Sequence, residues 1–443
     1  MTTNTLEQFV GNLIQSGLMT LADVQEFRHT FPSERRPRDA QSLAKELVRA
    51  GKLTKYQATA IWNGKPQNLV FGEYVVIDKI GQGGMGVVVK AQHKKMKRLV
   101  AIKMLSAGLM DSPKAVKRFF QEVEAAGKLS HPNIVAAYDA GEHEGTHYLV
   151  MEYVDGQNLS RLVKDRGPLP LDEAMDYIVQ AAEGLAHAHS EGIIHRDVKP
   201  GNLLIDSKGR VKILDMGLAR IQSMSMEGTG DAQRLTQTGQ MMGTCDYMAP
   251  EQATDSREAD HRADIYGLGC TLYRALIGSA PYPGDTIVQT LMGHKNGPIP
   301  SLCAGRSDVP AAVDAIFRRM LAKKPEDRPR TMQEVIDSLR AAMAAPNLVP
   351  APAPVPLPPV RPESPLSFLG ELTPSAPALN RPAAPVEETP PSWLDRDTTN
   401  ISRSGPPAPA RSIPRWQIVV AVAVGVLLLA GVLAVGYLLG KRG

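Results

Sequence analysis

His-Arg-Asp-Val-Lys-Pro-Gly-Asn, residues 195–202, is the stretch on which the reading of this chain turns. It sets a carboxylate (Asp197), an amine two residues on (Lys199) and an amide five residues on (Asn202) in one short loop. A carboxylate accepts a proton, an ammonium neutralises a phosphate and an amide oxygen ligates Mg²⁺. Those three groups together are what phosphoryl transfer requires.

Upstream, residues 73–80 alternate toward a strand and run into Ile80-Gly-Gln-Gly-Gly-Met-Gly-Val-Val88. Gly81, Gly83 and Gly86 let backbone amides approach phosphates with no Cβ in the way. A dinucleotide-binding fold shares this spacing but needs a helix next. Here Val87-Val-Val-Lys90 and Leu99-Val-Ala-Ile-Lys103 are β-branched and read as two more strands. The glycines therefore belong to a hairpin that closes as a flap over a nucleotide.

The octapeptide resembles the catalytic loop of eukaryotic-type (Hanks-type) protein kinases, and lysine two places after the aspartate is the serine/threonine form. Further motifs follow in that family's order from Phe71 to Met343. The resemblance implies an α+β, bilobal fold with a small β-rich N-lobe and a larger helical C-lobe, using ATP and Mg²⁺. Ile80, Gly81, Gln82, Gly83, Gly84, Met85, Gly86, Val87 and Val88 would cover the nucleotide, and Lys103 would neutralise its α- and β-phosphates. A helix expected over 114–129 would bring Glu122 to orient Lys103. Glu124 is the competitor, but it faces about 200° away on a helix, and Glu122 is favoured. In Tyr148-Leu-Val-Met-Glu-Tyr-Val154, Met151 is the gatekeeper, and backbone groups of Glu152 and Val154 would pair with adenine.

By the same resemblance Asp197 accepts the substrate hydroxyl proton, Lys199 steadies the γ-phosphoryl group, and Asn202 and Asp215 ligate Mg²⁺. The sequence departs from the family at Asp215-Met-Gly217, where phenylalanine is the usual middle residue. A thioether is apolar and adaptable, so Met216 is expected to keep the packing role. Gly243-Thr-Cys-Asp-Tyr-Met-Ala-Pro-Glu251 matches the end of an activation segment, with Thr244 expected to bond Asp197 or Lys199. Glu251 would pair with Arg328, and Asp264 would hold the catalytic-loop backbone. Overall the nearest likeness is to bacterial membrane-bound serine/threonine kinases.

A pseudokinase scaffold usually lacks the lysine, the catalytic aspartate or the metal aspartate, and all three are here. A small-molecule phosphotransferase does not account for the peptide-groove motif at 243–251.

The flanks read differently. Residues 1–66 contain an internal echo: Asn12–Thr20 aligns with Glu46–Thr54, and their glycines, Gly17 and Gly51, stand 34 residues apart. Each glycine suits a left-handed helix end, and Thr20 and Thr54 suit N-caps. That spacing is the period of tetratricopeptide repeats, but their Trp/Gly/Tyr signature is missing. A module of two helical hairpins is expected, its role open between regulation and a stabilising appendage. More than half of the 35 prolines fall between Pro346 and Pro414, so 344–415 reads as a disordered tether. Phe368-Leu369 and Trp393-Leu394 are apolar islands in it, and Ser364, Thr373 and Thr389 precede prolines.

From Trp416 to Leu439 the chain is apolar and uncharged, long enough to span a bilayer as a helix. Arg411 and Arg415 lie before it, Lys441 and Arg442 after it, in a short 440–443 tail. These charges are nearly symmetric; ATP chemistry places the kinase in the cytoplasm. With so short a tail, input is expected through residues 1–66, the tether or self-association in the membrane, which would favour phosphorylation in trans.

The balance of 50 Lys+Arg against 46 Asp+Glu, net +4, is too weak to argue for nucleic acid, and no nucleic-acid partner is expected. Cys245, Cys270 and Cys303 are widely spaced, suit a reducing compartment and form no metal pattern. No basic segment precedes an apolar core at the N-terminus, so a cleaved signal peptide is not expected. Arg196, a cation beside Asp197, needs a partner. Thr236 and Thr238, in the segment 218–242, are the expected autophosphorylation sites that would supply one.

Overall fold

The computed structural model describes residues 4–83, 86–105, 113–216, 245–254 and 259–344. Gly84, Met85, Thr236, Thr238 and Thr244 lie outside the described residues, as do 345–443 with the expected tether and membrane span. Among the described residues no helix is long and apolar enough to cross a membrane.

The chain opens with helices α1 (Leu6–Gln15), α2 (Leu21–His29), α3 (Ala40–Arg49) and α4 (Lys55–Trp62). Their starts follow directly from sequence. Thr5, Thr20, Asp39 and Thr54 each close a reciprocal capping box with the third helical residue. Each such cap contributes about 1 kcal/mol by satisfying amide donors the helix cannot. Gly17 and Gly51 sit at φ 70° and 67°, stopping α1 and α3 in the left-handed region. Phe9, Leu13, Leu43, Leu47 and Ile61 are all fully buried.

An antiparallel sheet follows, built from β1 (Val70–Phe71), β2 (Tyr74–Gly83), β3 (Gly86–His93), β4 (Leu99–Leu105), β5 (Ala137–His143) and β6 (Thr146–Glu152). The strands lie in the order β1-β2-β3-β4-β6-β5. One face packs Phe71, Val76, Val89, Val100, Ile102 and Val150 together. The other face meets α5 (Pro113–Gly127) through Phe119, Leu105, Leu149 and Met151. The strand alternation of β-branched residues is thus spent on two apolar faces.

The second lobe is helical. α6 (Leu159–Arg166) and α7 (Leu171–Ser190) lead into it, past β7 (Gly156–Asn158), β8 (Leu203–Asp206) and β9 (Val211–Ile213). Asp172 and Glu173 stand in the first turn of α7, where carboxylates match the helix dipole. After α8 (Pro250–Thr254) comes α9 (Arg262–Ile277), followed by α10 (Ile287–Asn296), α11 (Leu302–Gly305), α12 (Ala311–Met320) and α13 (Met332–Ala344). Residues Ala263 to Leu272 of α9 are buried without a break. A helix buried all round is a central one, and α9 is the axis on which the octapeptide 195–202 rests.

Candidate active site

The loop 195–202 is fastened from behind. Both carboxylate oxygens of Asp264 on α9 accept backbone amides, His195 N at 2.9 Å and Arg196 N at 2.7 Å, and His189 Nε2 donates at 2.8 Å. Burial pushes the fully enclosed Asp264 carboxyl up, but His189 and the amide donors outweigh it and hold the group below the usual carboxylate range. These bonds keep Arg196 at φ 65°, a left-handed conformation rare for a residue with a Cβ. Helix α9 comes this close because of Gly267, where a Cβ would sit 2.7 Å from the Val198 carbonyl oxygen.

The loop also reaches forward. His195 Nε2 bonds the Leu214 carbonyl at 2.8 Å while its Nδ1 accepts Asp197 N at 3.2 Å. That geometry puts the ring proton on Nε2 and joins the loop to the segment carrying Asp215. Asp215 is itself left-handed, at φ 57°.

At the cleft, Asp197 Oδ2 takes two contacts: Lys199 Nζ at 2.8 Å and Asn202 Nδ2 at 3.0 Å. Asn202 Nδ2 also donates to the Asp197 carbonyl at 2.8 Å. The amide nitrogen of Asn202 is committed to Asp197, so its oxygen is the atom suited to a cation. Lys103 Nζ, on β4, reaches across to Asp215 Oδ1 at 2.7 Å. Glu122 lies half-buried on α5, and Met216 is buried.

A hard-oxygen pair, the Asp215 carboxylate and the Asn202 amide oxygen, fits Mg²⁺, which takes few protein ligands and completes its shell with phosphate and water. Among the described residues no group of three His, Cys, Asp or Glu is placed to hold a metal by itself.

The glycine hairpin forms as β2–β3, pairing Gln82 with Val87 and Gly83 with Gly86. Gly86, at φ 138°, is sterically required: a Cβ would fall 1.9 Å from the Met104 carbonyl oxygen. Ile80, Gly81 and Gln82 lie at the end of β2, and Val87 and Val88 continue β3 opposite Met104 and Lys103. Met151 and Glu152 end β6, with Val154 half-buried just beyond.

Two relationships went unread in the sequence. Lys212, in the middle of β9 and buried, donates to Glu152 Oε2 at 2.8 Å, tying the strand before Asp215 to the hinge. The second is the seating of α4 against β2. Farther off, Arg328 Nη1 and Nη2 grip the two Glu251 oxygens at 2.7 Å each, the pairing its motif implied.

A protein-family profile described as "Protein kinase domain" matches residues 74–339. The chain belongs to the protein kinase family, whose members use ATP as substrate with Mg²⁺.

Its curated relatives include bacterial serine/threonine kinases. The chain is 39% identical over 267 residues to serine/threonine-protein kinase PknB of Mycobacterium leprae, covering 59% of this chain and 42% of that one. It is 35% identical over 279 residues to serine/threonine-protein kinase PrkC of Bacillus subtilis, covering 63% of this chain and 42% of that one. The chain thus spans less than half the length of these two relatives. Among solved structures, the PknI kinase domain of Mycobacterium tuberculosis aligns with a TM-score of 0.48 at 29% identity, covering 62% of this chain and 98% of that one.

Proposed function

We propose that the chain transfers the γ-phosphoryl group of ATP to serine or threonine hydroxyls of proteins. The observation that carries this is the joint seating of Asp197, Lys199 and Asn202 on one side of the cleft and of Lys103 with Asp215 on the other. Asp197 presents an oxygen to the incoming hydroxyl and takes its proton; Lys199, 2.8 Å away, stays close enough to neutralise charge on the transferring group. Lys103 would hold the nucleotide phosphates, oriented by Glu122. Asn202 and Asp215 would hold Mg²⁺, which supplies charge neutralisation at the phosphates when bound. Backbone groups of Glu152 and Val154 would receive adenine under the flap of residues 80–88. Thr244 would set the preference for serine and threonine.

Phosphoryl transfer from radiolabelled ATP to a generic protein substrate tests this, with Asp197→Asn beside the wild type. Transfer by the wild type and its near-abolition in the variant is the expected result; equal incorporation by both would point to a binding scaffold.

The regulatory reading rests on Arg196, whose Nη2 lies 3.4 Å from the Ala259 carbonyl. Among the described residues that long contact is the one its guanidinium makes, and Thr236 and Thr238 are the proposed carriers of a phosphate for it. Full activity in the Thr236→Ala/Thr238→Ala chain would count against it. Attachment to a membrane through 416–439, with residues 71–343 in the cytoplasm and the chains meeting in trans, is supported by the uninterrupted apolar run. Partition of the intact chain into carbonate-washed membranes is its test.

A further inference from the structure

We propose that helix α4 positions the nucleotide flap through Thr54 and Gln57, a role that rests on the kinase reading only for the identity of the nucleotide. Strand β2, which ends in the flap glycines, has only the two-residue β1 as its outer neighbour among the described strands. β1 pairs only with Tyr74 and Val75, and Val76 N then bonds the Leu69 carbonyl. Beyond that point the register slips: Val76 faces Ala91 and Asp78 faces Lys90, leaving Ile77 as an extra residue in a bulge. In a regular strand, successive carbonyls point to opposite sides. Here the carbonyls of Val76 and Ile77 both turn to α4.

Each finds a donor there. Gln57 Nε2 reaches Val76 O at 2.6 Å, and Thr54 Oγ1 reaches Ile77 O at 2.6 Å. The same two side chains close the capping box of α4, Thr54 N to Gln57 Oε1 at 2.8 Å and Gln57 N to Thr54 Oγ1 at 3.1 Å. Every polar atom of the box is therefore used, half on its own helix and half on the strand. Gln57 is 5% exposed, and Tyr56 between the two packs against the core face of the sheet. A second slip, between Lys79 and Gly81, separates this anchor from the flap. Without the two donors the bulge would leave two carbonyls unsatisfied or relax toward a regular strand, and either outcome displaces Gly81 and Gly83.

Thr20 provides the control. It closes the same kind of capping box on α2, its hydroxyl bonded to Asp23, and it is exposed. Calorimetric titration of the full chain with ATP compares Thr54→Val, Thr54→Ser and Thr20→Val. Thr54→Val should weaken ATP binding roughly five- to ten-fold, while Thr54→Ser and Thr20→Val stay within about twofold of wild type. Equal affinities in Thr54→Val and Thr20→Val overturn the proposal.

Should Thr54→Val fail to fold, the wild type decides. Coupling is reciprocal, so saturating ATP must slow amide exchange across residues 55–62. Unchanged exchange there overturns the proposal. A wild-type chain that binds ATP and shows this protection but transfers no phosphate would sink the kinase reading and leave the role of α4 standing.

Discussion

Asp264 holds Arg196 in a left-handed backbone conformation by accepting its amide at 2.7 Å, with the neighbouring amide of His195 on the other oxygen. The residue beside the proposed base thus keeps an unfavourable geometry with the help of a buried carboxylate that offers two acceptors side by side, while Gln252 Nε2 donates to the Arg196 carbonyl at 2.8 Å. Asparagine supplies one acceptor and puts an N–H₂ against an N–H. Asp264→Asn should lose about 2–4 kcal/mol of stability. It should also lower kcat at least about tenfold with a smaller change in the KM for ATP. Denaturant melts and steady-state kinetics check both; a variant with wild-type kcat would remove Asp264 from any account of catalysis.

The grip of Arg328 on Glu251 is a buried ion pair, the arginine side chain fully enclosed and the glutamate one-fifth exposed. Such a pair adds little over an apolar replacement, but breaking it strands a charge. Glu251→Ala should cost about 3–5 kcal/mol, and Glu251→Ala/Arg328→Met should recover part of that loss. Urea unfolding of the two proteins gives the comparison, and a double variant no better than the single one would contradict it.

Lys212 joins the hinge to the strand before Asp215. Lys212→Met should lower stability by roughly 1–2 kcal/mol and raise the KM for ATP more than it lowers kcat. Lys212→Arg keeps the charge and should fall between. If KM stays put in both, the ion pair is architecture only.

His294 is buried, its Nδ1 2.8 Å from the Tyr266 hydroxyl. Burial, and then the charge of Lys323, bring its pKa down to about 4 from an ordinary 6.5. Between those two values the unfolded chain binds a proton that the folded chain refuses, so stability present above pH 6.5 declines as pH falls toward 4. His294→Gln should melt lower than wild type at pH 7.5 and lose less on acidification through that window. Parallel melting-temperature curves for the two proteins would rule out His294 as the source.

What could be read in the sequence was what lies close along it. Asp197, Lys199 and Asn202 occupy six residues, so their shared chemistry is visible before any fold is known. Thr54 is legible as a cap because its partner, Gln57, is three residues away. That the same side chains also serve β2 is not legible, since Val76 and Ile77 pair with them only after the sheet and the helix have packed. Lys212 was hidden for another reason. A lysine inside a short strand reads as a solvated edge charge, and only the tertiary approach of Glu152 makes it a buried one. The partnership of Glu251 with Arg328, 77 positions apart, came from resemblance, because no local rule spans that distance.

Gly267 sits where α9 meets the loop 195–202. Helix α9 and the catalytic loop lie closer than a methyl group allows, with Val198 O only 2.7 Å from where a Cβ would stand. An atom added in the middle of the hydrophobic interior would therefore act as a wedge on Asp197 without touching nucleotide, metal or substrate. At that point the core and the chemistry are a single constraint, and a change that the fold could absorb elsewhere would here be felt first as lost turnover.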